Sequence, residues 1–129
     1  MAKVKSKKHD KQAVKAARKY LKQIQEEYEI VGSYNHDSYL DIFDLVALND
    51  GVLVFIQVRR FDGCYPHEVG ANKIGPKRRG RMETALYRWL GWNNEFLDMT
   101  VRFDVIDVFV PDNRDRALIR HHINAGKEY

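Results

Sequence analysis

The sequence predicts an α/β domain, a mixed central sheet flanked by helices, in the order helix, three strands, helix, strand and a short final strand or helix start. Three observations predict it. Between Tyr39 and Arg60, two β-branched, apolar runs flank Asn49-Asp50-Gly51, and Asp-Gly between such runs is a strong hairpin signal. Met82, Ala85, Leu86, Trp89 and Leu90 recur at i, i+3, i+4, i+7 and i+8, the apolar stripe of a helix packed on one side. Thr100 to Val110 reads as one long strand closed by Pro111. Sheet elements alternating with amphipathic helices form layers around a shared core. At 129 residues the chain is one domain, with no internal repeat.

Residues 1–9, MAKVKSKKH, read as a basic disordered tail, and residues 10–129 as the domain. A helix is expected from Asp10, whose carboxylate suits an N-cap. Ala13, Ala17, Tyr20, Leu21, Ile24 and Tyr28 recur at helical spacing toward the core, while Lys11, Lys15, Arg18, Lys19 and Lys22 fill the remaining surface. Tyr28 to Val31 is a short strand ended by Gly32-Ser33, and Asn35 to Ser38 a turn.

If Asp50 and Gly51 form a two-residue loop, Asn49 pairs with Val52 and the register runs outward, with Asp44 opposite Gln57 and Ile42 opposite Arg59. Asp44 then shares a face with Leu40, Ile42, Val46 and Leu48, and meets Leu53, Phe55, Gln57 and Arg59 across the ladder. A carboxylate in such surroundings is costly unless paired, hydrogen-bonded or metal-bound, so Asp44 is either a satisfied structural ion or part of a site.

Phe61 to Gly75 is a loop punctuated by Gly63, Pro66, Gly70 and Gly75. Pro76 suits the first position of the second helix, with Gly91 as its stop after Leu90. The first turns of that helix carry Lys77, Arg78, Arg79 and Arg81, with Lys73 just before. Cations there oppose the helix dipole, a cost that makes sense where an anion such as phosphate docks; a solvated, solubilising face is the competing reading. Asp104 and Asp107 fall on opposite faces of their strand, as do His121 and His122 if theirs is a strand, so neither pair forms a joint metal site.

Composition removes several function classes. One cysteine, Cys64, excludes a disulfide within the chain and a multi-cysteine zinc site. The longest apolar runs are too short to span a bilayer, and no apolar segment follows the Lys-rich start as in a secretory signal, so a cytoplasmic protein without a membrane partner is expected. The net charge of +4 is modest, but its clustering at the N-terminus and at Lys73 to Arg81 points to a polyanionic partner.

The chain resembles the small YraN-like proteins of bacteria, placed within the PD-(D/E)XK nuclease-like, restriction-endonuclease-like fold. The likeness lies in Ala16-Ala17-Arg18-Lys19-Tyr20-Leu21, in Asp41-Ile42-Phe43-Asp44-Leu45-Val46-Ala47, and in Val54-Phe55-Ile56-Gln57-Val58-Arg59. Pro76-Lys77-Arg78-Arg79, Arg102-Phe103-Asp104-Val105 and the stretch from Arg120 to Ala125 complete it, in the family's order. The resemblance implies that Asp44, Gln57 and Arg59 stand where such nucleases keep an Asp, a Glu and a Lys around Mg2+ or Mn2+.

The departures carry chemistry. Gln57 offers one neutral oxygen where a hard divalent cation prefers an anionic one. Arg59 is permanently protonated and cannot serve as a base. Ile42 replaces an acidic residue, and the helix around Val14 lacks the Glu of many members. Three readings follow. The first is a nuclease-fold protein that binds nucleic acid, DNA foremost, through backbone contacts by Lys73, Lys77, Arg78, Arg79 and Arg81, with weak or no hydrolysis. The second is a metal-dependent endonuclease on branched or single-stranded DNA, with Asp44 and Gln57 holding the metal and Arg59 stabilising the phosphorane-like charge. The third is a structural or interaction module in which Asp44 and Arg59 form a buried ion pair. A homodimer is expected by analogy with relatives of the fold.

Overall fold

The computed structural model describes residues 3–4 (backbone only), 8–25, 27–70, 74–112 and 117–125. Its elements are β1 (Lys3–Val4), α1 (Lys11–Gln23), β2 (Glu29–Ser33), β3 (Leu45–Asn49), β4 (Val52–Asp62), α2 (Pro76–Trp92), β5 (Thr100–Val110) and β6 (Leu118–His122). The sheet order is β2-β3-β4-β5-β6. Among the described strands only β4 and β5 are parallel; they are joined by α2, while every other pair is antiparallel. The α/β class and the mixed sheet flanked by helices are therefore as expected, and the short final element is a strand.

The hairpin has the two-residue loop that Asp-Gly specifies. Asp50 and Gly51 both have positive φ, 48° and 75°, as the tight primed turns require. Asn49 pairs with Val52, and the register continues to Leu45 with Ile56. Because β5 occupies one edge of β4 throughout, the other edge is shared: β3 takes Val52 to Ile56, and β1 pairs with Phe61 and Asp62.

Alternation along the strands sends two apolar sets to opposite faces. Val46, Leu53 and Phe55 pack with Met82, Ala85, Leu86, Trp89 and Leu90 of α2. Leu45, Ala47, Val54, Ile56, Ile106 and Val108 pack with Ala13, Val14, Ala17 and Leu21 of α1. A helix thus covers each face. Asp10 caps α1, accepting from the Ala13 N–H at 3.0 Å. No helix among the described residues is long and apolar enough to cross a membrane.

Several boundaries differ from expectation. Strand β2 runs through Gly32 and Ser33, the expected stop, and β4 takes in Phe61 and Asp62 ahead of the loop. Helix α1 ends at Gln23, so Tyr28 lies beyond it, before β2. Helix α2 passes through Gly91 to Trp92, where the Asn93 side chain donates to the Trp89 carbonyl. The expected tail is tied in where it is described: β1 joins the sheet, Lys8 pairs with Asp41 at 2.8 Å, and His9 stacks on Tyr34.

Candidate functional site

Asp44 sits where β3 leaves β4. Ladder pairing stops at Leu45, and Asp41, with φ of 53°, follows a 3-10 turn at Ser38–Leu40. The carboxylate of Asp44 fills the gap this leaves on the β4 edge. One oxygen accepts from the Val58 backbone N–H at 2.7 Å, and the other meets His9 Nδ1 at 2.7 Å. Asp44 is buried, so both interactions satisfy an otherwise costly charge.

Arg59 does not pair with Asp44, contrary to what the sequence suggests. Its guanidinium grips Asp107 bidentately, Nε–Oδ1 at 2.7 Å and Nη2–Oδ2 at 2.9 Å. The two residues are lateral neighbours in the parallel ladder and so share a face. Asp107 is fully buried and is the centre of a larger cluster. Arg120 Nη2 donates to it at 3.1 Å and His122 Nε2 lies at 2.7 Å. Burial pushes the Asp107 carboxyl up, but the hydrogen bonds and charge of Arg59 and the hydrogen bond with His122 outweigh that and hold it below the usual carboxylate range.

Arg120 also donates to the carbonyls of Pro66 and Val69, at 2.9 and 2.7 Å, and so ties the loop after β4 to β6. The Arg59 and Arg120 guanidiniums lie over the rings of Phe61 and Phe109, which form the floor of the cluster.

The basic helix start meets this cluster from above. Arg78 donates to Gln57 Oε1. Its guanidinium is held below its ordinary pKa, first by burial and then by the like charge of Arg59, while Asp107 partly offsets both. A cavity of about 440 Å³ opens here, lined by Ile42, Gln57, Gly75, Pro76, Lys77, Arg78 and Arg81. These described lining residues include no carboxylate. Lys77 is exposed and Arg79 half-buried. Arg81 forks onto Asp41 at 2.8 and 2.9 Å, which depresses the Asp41 carboxyl strongly. Lys73 lies outside the described residues.

The donor set does not suit Mg2+ or Mn2+. Both oxygens of Asp44 are taken by an N–H and an imidazole, and the one ligand oxygen of Gln57 accepts from a guanidinium. Among the described residues, no group of three His, Cys, Asp or Glu could hold a metal.

On the other face, Asp104 accepts from Arg102 at 2.9 and 3.1 Å and from the Asn124 N–H at 2.8 Å, and meets His121 Nε2 at 2.7 Å. His121 Nδ1 is 2.9 Å from the Tyr20 hydroxyl. The opposed placement of Asp104 and Asp107, and of His121 and His122, is as the strand period requires. What the sequence did not reveal is the convergence of Arg59, Asp107, Arg120 and His122. Alternation placed each on a face, but no turn fixes a parallel register, so the β4–β5 pairing carried no local signal.

No protein-family model matches the chain, and no curated protein matches it.

Proposed function

We propose that the protein binds the phosphate backbone of nucleic acid at the junction of α2 with the sheet, without cleaving it. The observation that carries this reading is the charge of the junction. Arg59, Arg78 and Arg120 crowd one buried carboxylate, Asp107. The described lining of the cavity beside them has Lys77, Arg78 and Arg81 but no acidic group. Like charges held this close are relieved by an anion, and Arg forks match phosphate oxygens.

The N-terminus of α2 adds to the attraction. Its Gly75 cap provides no side-chain acceptor, so backbone N–H groups of the first turn are available to an anion. The restriction-endonuclease-like likeness supports the same partner, DNA foremost, by resemblance. Hydrolysis is disfavoured by chemistry: Asp44 is spent on Val58 and His9, Gln57 faces Arg78, and Arg59 is committed to Asp107.

The test is an assay on linear, branched and single-stranded DNA with Mg2+ and then Mn2+, scoring binding and cleavage together. Binding without cleavage is expected. Cleavage by the wild type that an Asp44→Asn variant loses would replace this reading with that of a metal-dependent endonuclease.

A further inference from the structure

We propose that the exposed strip of α2, ending in the stacked pair of Tyr39 and Trp92, is a track for single-stranded nucleic acid. This rests on the phosphate-binding reading and names the form of polymer it would take. Tyr39 and Trp92 stack with ring centroids 5.3 Å apart and planes within 13°, yet remain 38% and 69% exposed. The neighbouring Trp89, in contrast, is fully buried in the core. An exposed, preformed aromatic face adds no core packing, and it is what an unpaired base stacks on.

The cations fall in line with it. Helical spacing places Lys77, Arg81, Arg88 and Trp92 on one side of α2, and all four are exposed. The strip runs about 22 Å along the axis at the usual helical rise, enough for a few nucleotides of extended strand. It begins at the cationic cavity beside Gln57 and ends at the aromatic pair. Asp41, two residues after Tyr39, holds Arg81 at 2.8 Å and brings one further cation, Lys8, to the strip at 2.8 Å. Phosphates would track the cations while a base caps the aromatic step. A duplex hides its base faces and gains only the phosphate interactions.

Tryptophan fluorescence reads this directly, because Trp89 is buried and Trp92 is not. Short oligothymidylate, oligouridylate and a DNA duplex of equal length are titrated into the full chain at low salt. Both single strands are expected to quench the emission and to bind more tightly than the duplex. Trp92→Ala should lower single-strand affinity roughly tenfold with duplex affinity little changed, and Trp92→Phe should restore most of the loss. Wild-type single-strand affinity in Trp92→Ala would overturn the track while leaving phosphate binding at the junction intact. Absence of any binding by the wild type would remove both. A dimer in sedimentation that Trp92→Ala abolishes, with no strand preference, would assign the patch to a second copy of the chain and overturn the inference.

Discussion

Arg59 reaches one strand sideways to Asp107, making two hydrogen bonds of 2.7 and 2.9 Å, and leaves Asp44 to the Val58 N–H and His9. The three residues that a nuclease-like reading gathers around one metal are thereby divided. Asp44 repairs the edge of β4, Arg59 belongs to a cluster centred on β5, and Gln57 is tied to α2 through Arg78. The division leaves Arg59, Arg78 and Arg120 gathered about the single carboxylate of Asp107.

Asp107 is the carboxylate that holds those cations together. Asp107→Asn leaves Arg59, Arg120 and His122 around a neutral amide in a buried position. A loss of about 3 kcal/mol or more is expected, the usual scale for breaking a buried ion pair from one side. Denaturant midpoints of the variant and wild type measure it. An unchanged midpoint would mean that the cluster stands without its carboxylate.

Acid should weaken the fold through the same residue and through Asp104. Burial raises both carboxyls, but the hydrogen bonds made to them dominate, so each folded pKa lies below its unfolded value. The stability they contribute is fully present above the unfolded carboxylate range and is lost as pH falls through the folded values. Unfolding free energy should therefore decline from about pH 5 downward, and the decline should be shallower in Asp107→Asn. Identical pH profiles for the two proteins would rule out Asp107 as a source of acid sensitivity.

Asp44 acts as an acceptor at a strand edge. Asp44→Ala strands the Val58 N–H and should cost about 2 kcal/mol, whereas Asp44→Asn keeps an acceptor oxygen and should cost roughly half of that. Thermal or chemical unfolding of the two variants distinguishes them. Equal losses would show that charge, rather than the hydrogen bond to Val58, is what matters at this position.

Gly32 is required by packing. A Cβ there would stand 3.1 Å from Trp89 Nε1 and 3.2 Å from both Trp89 Cζ2 and Val46 Cβ. Trp89 is fully buried against Phe55 and Phe96 and has little room to yield. Gly32→Ala should cost about 1–3 kcal/mol by overpacking. A melting temperature equal to that of the wild type would show that the indole can move.

Much of this molecule was legible where local chemistry decides. Asp50-Gly51 set the hairpin register, and the stripe from Met82 to Leu90 named the core face of α2. The misreadings lie where the deciding partner is remote. The hairpin register holds from Asn49 with Val52 to Leu45 with Ile56 and stops before the expected pairs of Asp44 with Gln57 and Ile42 with Arg59. The turn at Ser38–Leu40 lifts the chain out of the ladder just there, and the carboxylate turns to a backbone N–H. The hairpin pattern offers Arg59 the acid on its neighbouring strand, Asp44. The actual partner of Arg59 lies 48 residues away on a parallel strand whose register only the folded sheet reveals. Gly91 has the local character of a helix stop, but Trp89 and Leu90 are buried and the Asn93 side chain donates to the carbonyl of Trp89, so the helix continues to Trp92.

The most direct measurement is the salt dependence of DNA binding for the wild type and for the triple variant Lys77→Ala, Arg78→Ala, Arg79→Ala. Cations in a first helical turn oppose the dipole, so their removal should leave the fold intact, which circular dichroism can confirm. The wild type should show a steep linear fall of log affinity with log salt. The variant should bind more weakly, with a slope smaller by about one for every phosphate it no longer neutralises. Wild-type affinity and slope in the folded variant would contradict phosphate binding at the start of α2.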